Sequence, residues 1–200
     1  MLKIVTVPSD ILRQVAKPIE LLDKRVLKVI EDMHKTLMAA KKPQGVGLAA
    51  PQIGESLRIF LVRPTKNGPI TIFINPEIIK FSQRKVSPNT KEGVYEGCLS
   101  IPGHYAPVRR AMSVTVSYQT PSESDWRDLR AQILPKGHAS TQSRQEGKLI
   151  QKTSVFSGFI AHVIQHEMDH LNGILFIDRV LEQQAKLYKV EGKDWEEVGI

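Results

Sequence analysis

The sequence predicts an α+β fold with mixed or antiparallel β-sheets around one central helix. Three observations support this. Short β-type runs, Leu57–Arg63, Thr71–Ile79, Ser113–Tyr118 and Leu149–Phe156, are spread along the chain. One strongly apolar helical pattern, Gly158 to Leu171, follows the last of them. An earlier amphipathic helix precedes them all. The 200 residues are read as a single catalytic domain, a length that can bury a substantial core.

Taken in order, Val26, Val29, Ile30, Met33 and Leu37 fall at helical spacing within Leu21–Ala40, and Asp23 can cap the start. The helix is expected to end at Lys42, because Pro43 disfavours helical geometry in the residue before it. The stretch from Gly45 to Gly54 is too rich in glycine and proline for a regular element. In Ser113–Tyr118 the alternation of Val114, Val116 and Tyr118 marks a strand with one buried face. Residues from about 121 to 147 are polar apart from Trp126 and Ile133-Leu134, and read as a long surface loop. Asn172-Gly173 stops the central helix. A short helix from Asp178 to about Tyr188 is expected after it.

Composition excludes several classes. The chain is 41% hydrophobic and 24% charged, an ordinary globular balance. No apolar run approaches the roughly 18–20 residues of a membrane span, and the N-terminus lacks a signal-peptide pattern. Cys98 is the only cysteine, so no intrachain disulfide forms. The expected compartment is therefore the cytoplasm. The net charge of +7 favours weak association with polyanions such as ribosomal RNA, but the basic residues are scattered as on a solvated surface.

The chemistry lies in the central helix. Phe159, Val163, His166 and His170 form one row at helical spacing, and Ile160, Ile164, Glu167 and Leu171 the next. Together they make a stripe about 100° wide that should face the core. Burying two imidazoles and a carboxylate without compensation costs several kcal/mol, and a divalent cation supplies it. His166 and His170, at i and i+4, can point both rings at one ion, with Glu167 beside them within reach of a water. The competing reading is two hydrogen-bonded core histidines that match HExxH by chance; the agreement of motif with helix phase favours the metal.

A catalytic metal usually takes three protein ligands and keeps one open position. No histidine follows His170, and the acids after it offer no recognisable third-ligand pattern. A lone cysteine by itself reads as an inert buried residue. Here Cys98, in Glu96-Gly97-Cys98-Leu99-Ser100, is the best third ligand, a soft thiolate suited to Zn or Fe(II).

Three segments now stand in order: GVGLAAPQ (45–52), EGCLS (96–100) and QHEMDH (165–170). In these motifs the chain resembles the peptide deformylase family, and the similarity runs from Ile4-Val5-Thr6-Val7-Pro8 to about Arg179. The resemblance implies removal of the N-formyl group from formyl-methionyl nascent peptides. It implies Cys98, His166 and His170 as ligands of one divalent ion, Fe(II) physiologically, with Zn or Ni as substitutes. By the same resemblance Glu167 is general base and acid, and the Gln52 amide and the Leu99 backbone N–H stabilise the oxyanion. Gly45, Val46, Gly47, Phe159, His162 and Val163 would border the methionine pocket.

Three features depart from the family pattern: Tyr105 at the cleft edge, His162 beside the pocket, and the 121–147 loop. Asp169 either pairs with Arg110 or is exposed. A ribosome contact through Gln183–Lys193 and a monomeric state are further expectations. Two other readings compete: an HExxH metalloendopeptidase, which would not need Cys98, and a basic RNA-binding module with a structural metal, which would need a fourth ligand.

Overall fold

The computed structural model describes residues 2–40, 44–65, 68–86, 94–125 and 147–199. A first helix, α1 (Lys24–Ala39), starts where Asp23 caps it, its side chain accepting from Val26 N at 2.8 Å. It stops at Ala39, short of the Lys42 expected from Pro43, and residues 41–43 lie outside the described residues. Its apolar stripe packs Val26, Val29, Ile30, Met33 and Leu37 into the core.

The strands are β1 (Gly47–Ala49), β2 (Ile59–Val62), β3 (Thr71–Phe81), β4 (Lys85–Val86), β5 (Glu96–Cys98), β6 (Ile101–Ala106), β7 (Arg110–Ala111), β8 (Ser113–Pro121), β9 (Leu149–Ser157), β10 (Leu187–Glu191) and β11 (Asp194–Val198). They form a five-stranded sheet β1-β2-β3-β8-β9, a four-stranded sheet β11-β10-β6-β5 and a small β4-β7 pair. Every pairing between these strands is antiparallel, so the mixed alternative is not realised. In β3 the register shifts between Ile74 and Glu77, and Pro76 sits at that irregularity, where its missing N–H is tolerated. Asn75 there bonds both backbone groups of Ile19, tying the N-terminal segment to the sheet.

Between the two larger sheets runs α2 (Gly158–Leu171), with the boundaries expected from its pattern. It is buried on all sides from Ala161 to Leu171, not along one stripe. Its outer turn departs from expectation in the other direction: Phe159 is 41% exposed. Gln165 bonds both backbone groups of Ala111 on β7, at 3.0 and 2.9 Å. Gly173 ends the helix at φ +70, and a Cβ there would lie 2.4 Å from the Arg13 carbonyl oxygen.

After α2 the structure corrects the sequence reading. The short helix α3 covers Phe176–Glu182, and Tyr188 lies in β10, not in a helix. β10 and β11 form a hairpin around Gly192-Lys193, with Gly192 at φ +66 in the first turn position. Of the expected 121–147 loop, residues 126–146, including Trp126 and Ile133-Leu134, lie outside the described residues. Among the described residues no helix is long and apolar enough to cross a membrane.

Candidate metal centre

Two elements bring the three donors together. α2 presents His166 and His170 from successive turns, their rings 4.9 Å apart and nearly perpendicular. The end of β5 delivers Cys98, whose Sγ lies 3.1 Å from His170 Nε2. The ligand atoms of Cys98, His166 and His170 all fall within 4.8 Å of one another, and all three residues are buried. The sulfur also accepts from Gln52 Nε2 at 3.5 Å and from the Ser100 backbone N–H at 3.4 Å.

Electrostatics favours the ionised ligand. Burial opposes a charged sulfur, yet the His170 charge and hydrogen bonds from both histidines outweigh it and hold the Cys98 thiol well below its ordinary value. A soft thiolate with two imidazoles fits a divalent transition metal. So does one buried polar atom beside it: Glu167 Oε2 has no hydrogen-bond partner among the described residues. The donor set fits the ion.

Glu167 is 2% exposed, and its carboxylate lies against the backbone of β1. A Cβ on Gly47 would come within 2.2 Å of Glu167 Oε1 and 2.8 Å of Val163 Cγ1, so only glycine leaves the space. Burial pushes the Glu167 carboxyl up to about 7, against the opposing charges of His166 and His170. Gln52 is fixed in the 3-10 turn Ala50–Ile53: its Oε1 accepts from Ala49 N at 2.8 Å, which turns its Nε2 toward Cys98 and Ser100.

One functional residue was missed by the sequence reading. Glu96, on β5, accepts from Arg110 through both carboxylate oxygens, at 2.9 and 2.6 Å. The same carboxylate lies 2.7 Å from His166 Nδ1 and 2.7 Å from His162 Nε2. Arg110 in turn donates to Asp169 at 2.6 Å, and Asp169 accepts two bonds from Arg179. Asp169 is therefore buried and paired, not exposed. Burial opposes ionisation of Glu96, but Arg110 and His166 hold its carboxyl well below the ordinary range. The only sequence signal was its place two residues before Cys98; its partners lie 14 and 70 residues away.

All of the residues expected at the substrate pocket meet in one cleft of about 240 Å³. Gly45, Val46, Gly47, Gln52 and Leu99 line it along with Phe159, His162 and Val163, and it opens onto Cys98, His166 and Glu167. Tyr105, the expected cleft-edge residue, lines it too, with Tyr95 beside it. His170 lies deeper, 1% exposed.

Comparison with known proteins agrees with this geometry. Residues 1–135 and 141–186 match the sequence model of the family described as Polypeptide deformylase. A peptide deformylase of Mesorhizobium japonicum is 37% identical over 199 residues, spanning 96% of this chain and 93% of its own. One from Dictyoglomus thermophilum is 38% identical over 180 residues, 90% of this chain and 93% of its own. The crystal structure of a class I type b peptide deformylase from Acinetobacter baumannii, bound to Met-Ala-Ser, superposes with a TM-score of 0.65 at 33% identity. That match covers 90% of this chain and 98% of that one. The endopeptidase alternative is not favoured by any of these matches.

Proposed function

The chain belongs to the polypeptide deformylase family and is a metal-dependent hydrolase that removes the N-formyl group from formyl-methionyl peptides; from that premise we propose how its own residues divide the work. Cys98, His166 and His170 hold the ion, which the soft donor set suits to Fe(II), with Zn and Ni as substitutes. Bound there, the ion supplies Lewis acidity toward the formyl carbonyl and makes water more acidic.

Glu167 is the proton carrier. Its buried carboxyl, with an unpartnered Oε2 and an affinity for protons near neutrality, takes a proton from the attacking water and returns it to the departing α-amine. Water attack, collapse and proton return yield formate and the free amine. The Gln52 amide, held by Ala49 N, and the Leu99 backbone N–H donate to the developing oxyanion. Gly45, Val46, Gly47, Phe159, His162 and Val163 form the methionine pocket, and Gly47 lets the substrate and Glu167 share one narrow space.

We further propose that residues 1–200 act as one catalytic domain. A metal-ligating thiolate is safest in a reducing compartment, which supports the cytoplasm. A monomer meeting its substrate at the ribosome completes the proposal, supported by the net charge of +7.

The observation that carries this assignment is the convergence of three buried donors within 4.8 Å, on the same cleft as Glu167. The test is formate release from formyl-Met-Ala by protein loaded anaerobically with Fe(II) or Ni(II). Properly metallated protein that releases no formate would overturn it. Anaerobic handling matters because an iron-bound thiolate is prone to oxidation.

A further inference from the structure

The C-terminal hairpin β10–β11 lies beyond residue 186, where the match to the family model ends. It nevertheless joins the sheet that carries Cys98, because β10 pairs with β6 and β6 with β5. The register is informative. Gly97 faces Tyr105 across β5–β6, Tyr105 faces Tyr188 across β6–β10, and Tyr188 faces Glu197 across β10–β11. Side chains paired in this way share one face of a sheet.

That face is aromatic and begins at the cleft. The Tyr105 ring lies directly over Gly97, where a Cβ would come within 2.5 Å of it. Trp195 packs against Tyr95 with centroids 5.1 Å apart, against Tyr105 at 5.7 Å and against Tyr188 at 5.9 Å. Tyr95 and Tyr105 line the cleft, while Tyr95 and Trp195 remain 44% and 50% exposed. Glu197, the acid on this face, is paired with Lys186 at 2.6 Å. Exposed aromatics grouped in this way mark a binding surface, and they enter apolar contacts at low conformational cost.

We propose that Tyr95, Tyr105 and Trp195 form a subsite continuous with the cleft, which takes a bulky apolar or aromatic side chain from one of the two residues following the methionine. The occupant is set by continuity. A peptide whose methionine enters the pocket leaves its next residues at the cleft mouth, and the wall described there is aromatic, with Glu197 on the same face paired to Lys186. Tyr95 and Tyr105 make the contact, and Trp195 positions both rings from the hairpin. The inference rests on the deformylase reading of the cleft.

The test measures kcat and KM separately on formyl-Met-X-Ser and formyl-Met-Ala-X, with X as Phe, Leu, Ala or Arg. Formyl-Met-Ala serves as the control. Wild-type protein should turn over the control and, in at least one series, favour Phe and Leu over Ala by about 10-fold in kcat/KM, a difference of about 1.4 kcal/mol. Trp195→Ala should erase most of that preference through KM, with the control within about 2-fold, and Tyr95→Ala should erase it as well. Trp195→Phe should restore part of it. No preference in either series, equal losses on every peptide, or a preference for Arg would overturn the subsite. Failure of wild-type protein on the control would instead overturn the deformylase reading.

Discussion

Glu96 Oε1 lies 2.7 Å from His166 Nδ1, while both oxygens of the same carboxylate accept from Arg110. One buried acid thus orients the imidazole proposed as a metal ligand and anchors the strand β7 that carries Arg110. The bond at Nδ1 fixes the ring so that Nε2 faces Cys98 and His170, the role outer partners of metal-bound histidines commonly play. The ionic chain continues through Asp169 to Arg179, so β5, β7, α2 and α3 meet at one network.

Glu96→Gln keeps the shape of that side chain but removes the charge facing Arg110 and His166. Metal affinity should weaken about 10–100-fold. Stability should fall by about 3–5 kcal/mol, as when one partner of a buried ion pair is lost. Metal titration followed by urea unfolding checks both, and an unchanged midpoint would contradict the network.

Cys98→Ser replaces a thiolate held well below its ordinary value with a hydroxyl that stays protonated. Metal content and formate release should collapse together. An HExxH endopeptidase with another third ligand would keep both, so elemental analysis beside the formate assay separates the cases.

Glu167→Gln leaves the three donors in place and removes the proton carrier. The variant should bind metal as wild-type does and lose about 10²–10⁴-fold in kcat. Loss of the metal along with activity would argue for a structural role instead.

Gly47→Ala would drive a methyl group into Glu167 Oε1 and Val163 Cγ1. A displacement of about 1 Å at a reacting group can cost about 100-fold. We expect kcat/KM to fall by about that factor with metal content unchanged, measured by formate release on matched metal-loaded samples.

Chelation should lower the melting temperature, because the ion binds the folded chain and three buried donors then face one another alone. Restoring Zn(II) or Ni(II) at about 100 times its Kd should return about 2.7 kcal/mol of stability. A melting temperature indifferent to metal would contradict the site.

Much of the centre was legible in the chain because its strongest signal is local. His166, Glu167 and His170 sit within one helix whose boundaries, Gly158 and Leu171, follow from spacing and the Asn172-Gly173 stop. Cys98 emerged from the absence of a later ligand. The strands β5 and β6 around it were not legible, because β5 has three residues and β6 contains both proline and glycine. The hairpin β10–β11 was partly hidden by the helical reading through Tyr188, although Gly192 between two β-type runs was an available signal.

By itself, then, the sequence determined the class of fold, the helix that carries His166, Glu167 and His170, and, through three compact motifs, the family and its reaction, since each rests on short-range periodicity or on a compact motif. Tertiary structure alone decided what surrounds them. It buried α2 on every side from Ala161 onward, set Glu96 between His166 and Arg110, pressed Glu167 against Gly47, and packed Trp195 against the cleft-lining Tyr95 and Tyr105 at the far edge of the four-stranded sheet. These relationships depend on strand register and helix packing between residues far apart in the chain, and no local pattern encodes such pairings.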